Sequence, residues 1–396
     1  MRVLIASSTM PIRGGVISYI QILSEKLRKI GHHVDVINIL GGSTNKPRYL
    51  SPGKLKVIKL LLDNDLLFFL VFLATRLILN IKVIYKMLFY NIEVIHAQDI
   101  NSVNALYQLC KRRKVKLVMT LHGHLFNAGT STRRITTGSW LSNYLYNKEV
   151  EAYKKAHRII VVSNYAFDFV KKHTSENKVT LIRNMVDTEV FYPIGRDQRN
   201  KIRAGFGYND NEFILIYAGR LVKSKGVDYL LKGFRLLHNS YPAKLIIAGY
   251  GFEKDRLKKL AFESGISPYV NFTGEISKDE LLNMYRISDA FIMASVSDED
   301  NIEGTPMALL EAMACGLPVI TTHAGGLSAV ARNLENALVI NERDEESIAK
   351  AVSLLIEDSK LYNTLVQNEL RDIDENYSLN AVVKTLLHVY SKEVPE

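Results

Sequence analysis

Short apolar runs alternate with helical periodicities along almost the whole chain. In the first half, runs at residues 3–7, 34–39, 94–97, 115–121, 159–162 and 180–182 read as strands, rich in Val and Ile. Between them, apolar positions at helical spacing predict helices, among them 16–30 and 102–111. The alternation then restarts, with strands predicted at 213–218, 244–248, 270–272, 290–293, 319–322 and 337–340. Such strands alternating with helices imply βαβ units and parallel sheets covered on both faces. The two series are separated by the polar stretch NMVDTEVFYPIGRDQRNK, which carries Pro193 and Gly195 and reads as a linker. The predicted class is α/β, with two doubly wound, Rossmann-like domains facing each other and ligands at the carboxyl ends of the strands. Residues 1–193 form the first domain, 194–375 the second, and 376–396 hold one more amphipathic helix, at 377–391.

Length agrees with that division, because 396 residues exceed what one ordinary core organises. Cys110 and Cys315 are the only cysteines and lie far apart. They provide neither a disulfide framework nor a metal-spaced cluster, so no metal is expected, and a reducing compartment is. The opening MRVLIASS reads as a strand rather than a signal peptide, which predicts a cytosolic protein.

Charge changes the picture. The net charge of +10 is concentrated in residues 1–193, which hold 28 Lys/Arg and 12 Asp/Glu; the remainder holds 23 and 29. A balance of +16 against −6 suggests that the first half faces something anionic. No zinc finger, RNA-recognition signature or basic heptad array accompanies it, so nucleic acid is not the expected partner. An anionic membrane surface fits better, because the same half carries LLFFLVFLATRLILNIKVIYKMLFY at 66–90. Arg76, Lys82 and Lys86 interrupt that run and argue against a transmembrane span. Two readings stay open for it: a pair of core helices with solvated basic faces, and a segment lying in the plane of a membrane.

The chemistry concentrates in EGTPMALLEAMACGLPVI. Thr305 is expected to cap a helix with Pro306 in its first turn, ending at Gly316. Glu303 then lies on the loop before the helix, and Glu311 about 7–8 Å further along its axis at ~1.5 Å per residue. The free amides between them carry roughly half a positive charge and suit a phosphate. A carboxylate on each side of a phosphate site can hold two polyhydroxyl groups, which is the shape of a nucleotide-sugar. In IYAGRLVKSKG, Gly219 and Arg220 end a strand and Lys225 opens the next helix, two cations suited to a diphosphate leaving group. Gly14-Gly15 marks a tight strand-to-helix turn without the full dinucleotide fingerprint. His122 ends the apolar strand of VMTLHGH, while His124 reads as structural. Asp298, Glu299 and Asp300 read as a solvated loop.

In this order and spacing, the motifs resemble the family-4 retaining glycosyltransferases of GT-B architecture, bacterial exopolysaccharide and capsule enzymes among them. The resemblance runs nearly end to end, through Gly14-Gly15, His122, Ser163-Asn164, the linker residues Asn184, Asp187, Phe191 and Pro193, the Arg220–Lys225 pair, the IAGYG loop (Gly249, Gly251) and the E-x7-E stretch. It departs at Ser328 and Ala329, where the family often has proline and then glutamate, and at Ala337, where glycine is frequent.

The resemblance implies a hexosyl-transferring, retaining enzyme with no cofactor, using a nucleotide diphosphate sugar, UDP- or GDP-linked, as donor. Glu311 would bind the ribose, Arg220 and Lys225 would neutralise the departing diphosphate, and Gly14 and Gly15 would close on it or on the acceptor. Glu303 would hold the sugar hydroxyls and His122 would contact the sugar. Gly219, Gly249, Gly251, Gly304, Thr305 and Pro306 would line the nucleotide site. The tail helix resembles the one that crosses back to the first domain in this family. A lipid-linked or growing surface glycan at the inner membrane face is the expected acceptor, which makes the enzyme peripheral on that membrane. A soluble small acceptor and a non-catalytic, nucleotide-sugar-binding partner subunit are the alternatives.

Overall fold

The computed structural model describes residues 1–8, 15–39, 65–123, 139–297 and 306–392. Two compact units divide the chain: residues 1–184 with 382–396, and residues 185–381. Each is built on a six-stranded, wholly parallel sheet.

In the first unit the strands are β1 (Arg2–Ser7), β2 (His33–Asn38), β3 (Val94–Ala97), β4 (Lys116–Leu121), β5 (Arg158–Val161) and β6 (Val179–Leu181). They lie in the order β2-β1-β3-β4-β5-β6. The helices are α1 (Gly15–Lys29), α2 (Asp65–Phe89), α3 (Ile100–Arg113), α4 (Trp140–Lys155) and α5 (Asn164–Lys171). The second unit has β7 (Phe213–Ala218), β8 (Ala243–Ala248), β9 (Val270–Gly274), β10 (Ala290–Met293), β11 (Val319–Thr321) and β12 (Leu338–Val339). Their order is β12-β11-β10-β7-β8-β9, the order of a dinucleotide-binding sheet. Its helices are α6 (Arg196–Gly205), α7 (Val227–His238), α8 (Lys254–Glu263), α9 (Lys278–Ile287), α10 (Met307–Ala314), α11 (Glu345–Glu357) and α12 (Ser359–Asp372). Then α13 (Leu379–Ser391) begins in the second unit and ends in the first.

The twelve predicted strands are therefore present, with ends shifted by a residue or two. Strands such as β3, β5 and β10 are buried at every position, as parallel strands covered on both faces must be.

Two expectations are corrected. First, residues 66–90 do not form a pair of helices with solvated basic faces: one helix, α2, spans Asp65–Phe89. Its cations turn inward. Arg76 donates to the Asn104 carbonyl at 3.1 Å, Lys82 to the carbonyls of Asn38 and Ile39 at 2.9 Å each, and Lys86 pairs with Asp35 at 2.8 Å. They share a side with Leu79 and Val83, both fully buried. Second, α10 starts at Met307 with Pro306 in extended conformation at its N-cap, so the proline precedes the first turn. With no amide hydrogen to donate, it still loses nothing there.

Candidate active site

In a doubly wound sheet, ligands bind where the strand order reverses, outside the carboxyl ends. In the second unit that point lies between β7 and β10. The chain leaving β7 carries Gly219 and Arg220, passes through a short 3-10 turn (Lys223–Lys225) and enters α7 at Val227. Two neighbouring strand ends, those of β8 and β10, hold this segment by backbone contacts. Gly219 N–H donates to the Ala248 carbonyl (2.9 Å) and Leu221 N–H to that of Tyr250 (2.8 Å). Val296 N–H donates to the Ser224 carbonyl, also at 2.8 Å.

The glycines are what allow this closeness. A Cβ on Gly249 would stand 1.8 Å from the Gly219 oxygen, and one on Gly251 2.1 Å from the Leu221 oxygen. A Cβ on Gly226, in the left-handed region at φ +62, would stand 1.8 Å from the Ala294 oxygen. The structure thus gathers Gly219, Arg220, Lys225, Gly249 and Gly251 on one edge. Arg220 is exposed, whereas Lys225 is only 7% exposed, so one cation is free to sweep and the other is fixed in the loop wall. Tyr217 reaches past the end of β7 to donate to the Arg220 carbonyl at 2.8 Å and steadies the turn.

Glu311 stands in the second turn of α10, half-buried, and accepts a hydrogen bond from the fully buried Tyr285 of α9 at 3.2 Å. Burial pushes its carboxyl up to about 7, against the Tyr285 hydrogen bond and the Lys278 charge, which lower it. The linker packs on the same group: Phe191, buried, meets the Tyr285 ring edge-on at 6.1 Å. A Cβ on Gly316, the left-handed residue after α10, would lie 3.3 Å from Pro193. Two of the linker's motif residues, Phe191 and Pro193, therefore pack on the neighbours of Glu311.

In the first unit, the order reverses between β1 and β3. Asp99, the N-cap of α3, organises that edge. It accepts from Ser7 Oγ (3.1 Å), Ser8 N and Ser8 Oγ (2.6 Å each) and Ser102 N (2.8 Å). This fixes the end of β1 before the chain reaches α1, which opens at Gly15. His122, just past β4, shares a hydrogen bond with Gln98 Oε1 through Nε2 (2.9 Å) and meets the edge of the Tyr19 ring at 4.9 Å. Since the amide oxygen can only accept, His122 is the Nε2–H tautomer. Burial pushes its pKa down to about 4, so the ring is neutral at physiological pH; with its one N–H given to Gln98, it offers Nδ1 as an acceptor and carries no charge.

Gly14, Glu303, Gly304 and Thr305 lie outside the described residues, as do His124, Asp298, Glu299 and Asp300. Gln98, Asp99, Tyr217 and Tyr285 escaped the sequence reading. Only Asp99 left a local signal, an aspartate three residues ahead of the helix predicted at 102–111. The described residues hold no cluster of His, Cys, Asp and Glu suited to a metal ion.

The model of the glycosyl transferases group 1 matches residues 198–395, and that of glycosyltransferase family 4 matches residues 13–190. The chain belongs to the group 1 glycosyl transferases. An uncharacterized glycosyltransferase of Methanocaldococcus jannaschii is 26% identical over 391 residues, covering 96% of this chain and 94% of that protein. The alpha-monoglucosyldiacylglycerol synthase of Acholeplasma laidlawii is 24% identical, covering 91% and 89%. Among solved structures, Anabaena HepE in complex with UDP and glucose superposes with a TM-score of 0.71 at 17% identity, covering 99% of each chain. The transferase thus has the two-unit fold named GT-B, as its sequence motifs implied.

Proposed function

We propose that this transferase moves a hexose from a nucleotide diphosphate sugar to a hydroxyl of a lipid-linked or growing surface glycan, with retention at the anomeric carbon. The observation that carries the reading is the edge at β7, β8 and β10, where backbone packing fixes a buried lysine beside an exposed arginine at the reversal of strand order. Arg220 reaches the diphosphate and can pair with it bidentately, while Lys225 supplies a fixed point charge. Glu311 accepts from the ribose hydroxyls, and Glu303 from those of the sugar.

The bond from the anomeric carbon to the diphosphate oxygen breaks, and the bond to the acceptor oxygen forms on the same face. The acceptor proton passes to the departing phosphate, so catalysis rests on positioning and charge stabilisation, without a cofactor. His122, neutral, accepts from a sugar hydroxyl through Nδ1 or contacts the sugar through its main chain. The names of two relatives support the two ends of the reading. HepE was solved with UDP and glucose, and the Acholeplasma enzyme is named for a glucosyl diacylglycerol. The basic surplus of residues 1–193 favours an acceptor presented at the inner face of an anionic membrane.

The test is a thermal-shift panel of UDP-, GDP-, TDP- and ADP-sugars. A ligand at a hundred times its Kd stabilises by ~2.7 kcal/mol, and Glu311→Ala is expected to lose that shift. Lys225→Ala is expected to bind nucleotide and stay folded yet lose transfer on the order of a hundred- to a thousandfold. Normal turnover by Lys225→Ala would overturn the site. Absence of any nucleotide shift would leave a non-catalytic partner subunit as the reading. NMR of the product's anomeric proton decides retention.

A further inference from the structure

The helix α2 has a face that no described residue of the first unit covers. Every exposed residue from Leu66 to Tyr90 is apolar or aromatic: Leu66, Leu70, Leu73, Ala74, Leu77, Ile78, Ile81, Ile84, Tyr85, Leu88, Phe89 and Tyr90. Leu77 and Leu88 are each 64% exposed and Ile81 58%. Monomeric soluble proteins rarely display a continuous apolar strip of this length, about 36 Å for 24 residues at ~1.5 Å each. By length and mean hydropathy (2.1) α2 could cross a membrane. Its inner side excludes that arrangement, because Leu79 and Val83 are core residues and Arg76, Lys82 and Lys86 are tied to β2, to the residue after it and to α3.

We propose that α2 is a keel: it stays in its unit and lays its outer face into the surface of an anionic lipid bilayer. The ends of the face carry the side chains that favour a bilayer's polar boundary. Trp140, 54% exposed, stands edge-on to Phe69 at one end; at the other the Tyr90 ring lies under Arg2 and Lys86, at 4.8 and 5.0 Å. Alongside, α3 runs in the same sense, Asn101 meeting Thr75 and Asn104 meeting Arg76. It finishes in four exposed cations, Lys111, Arg112, Arg113 and Lys114, at the end where α2 finishes.

Charge decides between occupants. A second copy would set two strongly basic surfaces against each other, whereas anionic headgroups complement the +16 of residues 1–193. Apolar insertion and headgroup attraction then act together, and the grip survives salt better than a purely electrostatic one. This deepens the membrane-borne acceptor reading, but vesicle binding needs neither donor nor acceptor, so the two stand or fall separately.

Trp140 is the chain's single tryptophan and reports the event directly. The full chain is mixed with vesicles of phosphatidylcholine, with and without phosphatidylglycerol, some carrying brominated acyl chains. Expected are flotation with the phosphatidylglycerol vesicles, a shift of Trp140 emission to shorter wavelength, and quenching by bromine. Leu77→Glu with Ile81→Glu, checked for folding by circular dichroism, is expected to weaken vesicle binding on the order of a hundredfold. Wild-type protein that neither floats nor shifts its emission overturns the proposal, with no variant involved. A folded double variant that floats like the wild type does so too. A wild-type dimer that the double variant splits would assign the face to a second copy instead.

Discussion

The two units share a strand count and a parallel sheet, yet they finish their strand ends by different means. In the second unit, loops meet backbone to backbone, and glycines at 226, 249 and 251 make the contact possible. In the first unit, side chains do the joining: Asp99 gathers Ser7, Ser8 and Ser102, and Gln98 holds His122. A backbone joint is rigid and tolerates no added atom, whereas a side-chain joint can lose one partner and remain assembled. Under the proposed function, rigidity would suit a site for a diphosphate, and the tunable joint would suit a half that meets the acceptor.

The buried titratable groups differ too. The first unit buries neutral histidines, His96 held down to about 3 and His122 to about 4, mainly by desolvation. The second buries carboxyls pushed up by the same cause, Glu311 to about 7 and Glu369 well above its usual range. A histidine whose folded pKa is depressed lets the unfolded chain bind the extra proton, so stability is lost as pH falls below about 6.5. A carboxyl with a raised folded pKa lets the folded chain bind it, so stability is lost as pH rises, from about 4.5 through 7 for Glu311. Between about pH 7 and 5, these groups therefore loosen one unit and tighten the other.

The largest expected effect tests the backbone joint. Gly249→Ala should cost the second unit roughly 3 kcal/mol, about 6–12 °C in melting temperature, since its methyl would meet a carbonyl that cannot move alone. An unchanged melt would show that the loops are not locked. Next, Asp99→Ala should cost the first unit about 2–3 kcal/mol by removing a helix cap and its partners, with nucleotide affinity in the second unit intact. Calorimetry with and without nucleotide separates the two effects.

The pH contrast comes third. Between pH 6.5 and 5, His96 alone should withdraw about 2 kcal/mol from the first unit. Peptide-resolved hydrogen exchange, corrected for intrinsic rates, should show β3 and β4 opening in acid while α10 grows more protected; parallel changes in both would refute the contrast. Finally, Tyr390→Phe should cost about 1 kcal/mol, because it removes only the hydroxyl bonded to His96 Nδ1 at 2.7 Å. Its signature is faster exchange in α13 alone.

Parallel strands were legible in the sequence because both of their faces are buried, which leaves unbroken apolar runs that need no knowledge of neighbours. The glycines of the second unit were legible for a similar reason, since a close approach leaves a residue type behind. Tyr285 and Gln98 were not, because what each holds lies about two dozen residues away along the chain. The cations of α2 mark the boundary between the two cases. Their spacing suggested solvated faces, but at about 100° per residue Lys82 and Lys86 fall on the stripe of Leu79 and Val83. That much was available from the chain; Asp35 and the end of β2 as their partners were not.

The return of the chain has a consequence for synthesis. The first unit is not finished by its first 184 residues, since it also includes residues 382–396. Leu386, Val389 and Tyr390 are buried, Tyr390 reaches His96, and Lys116 donates to the carbonyls of Tyr390 and Lys392. A ribosome therefore delivers the whole second unit before the last piece of the first. Until then His96 waits for its tyrosine, and the first unit stays partly open while its neighbour can already be folded. Order of birth and order of completion are reversed, and a nascent chain stalled near residue 380 would expose the seam that α13 later closes.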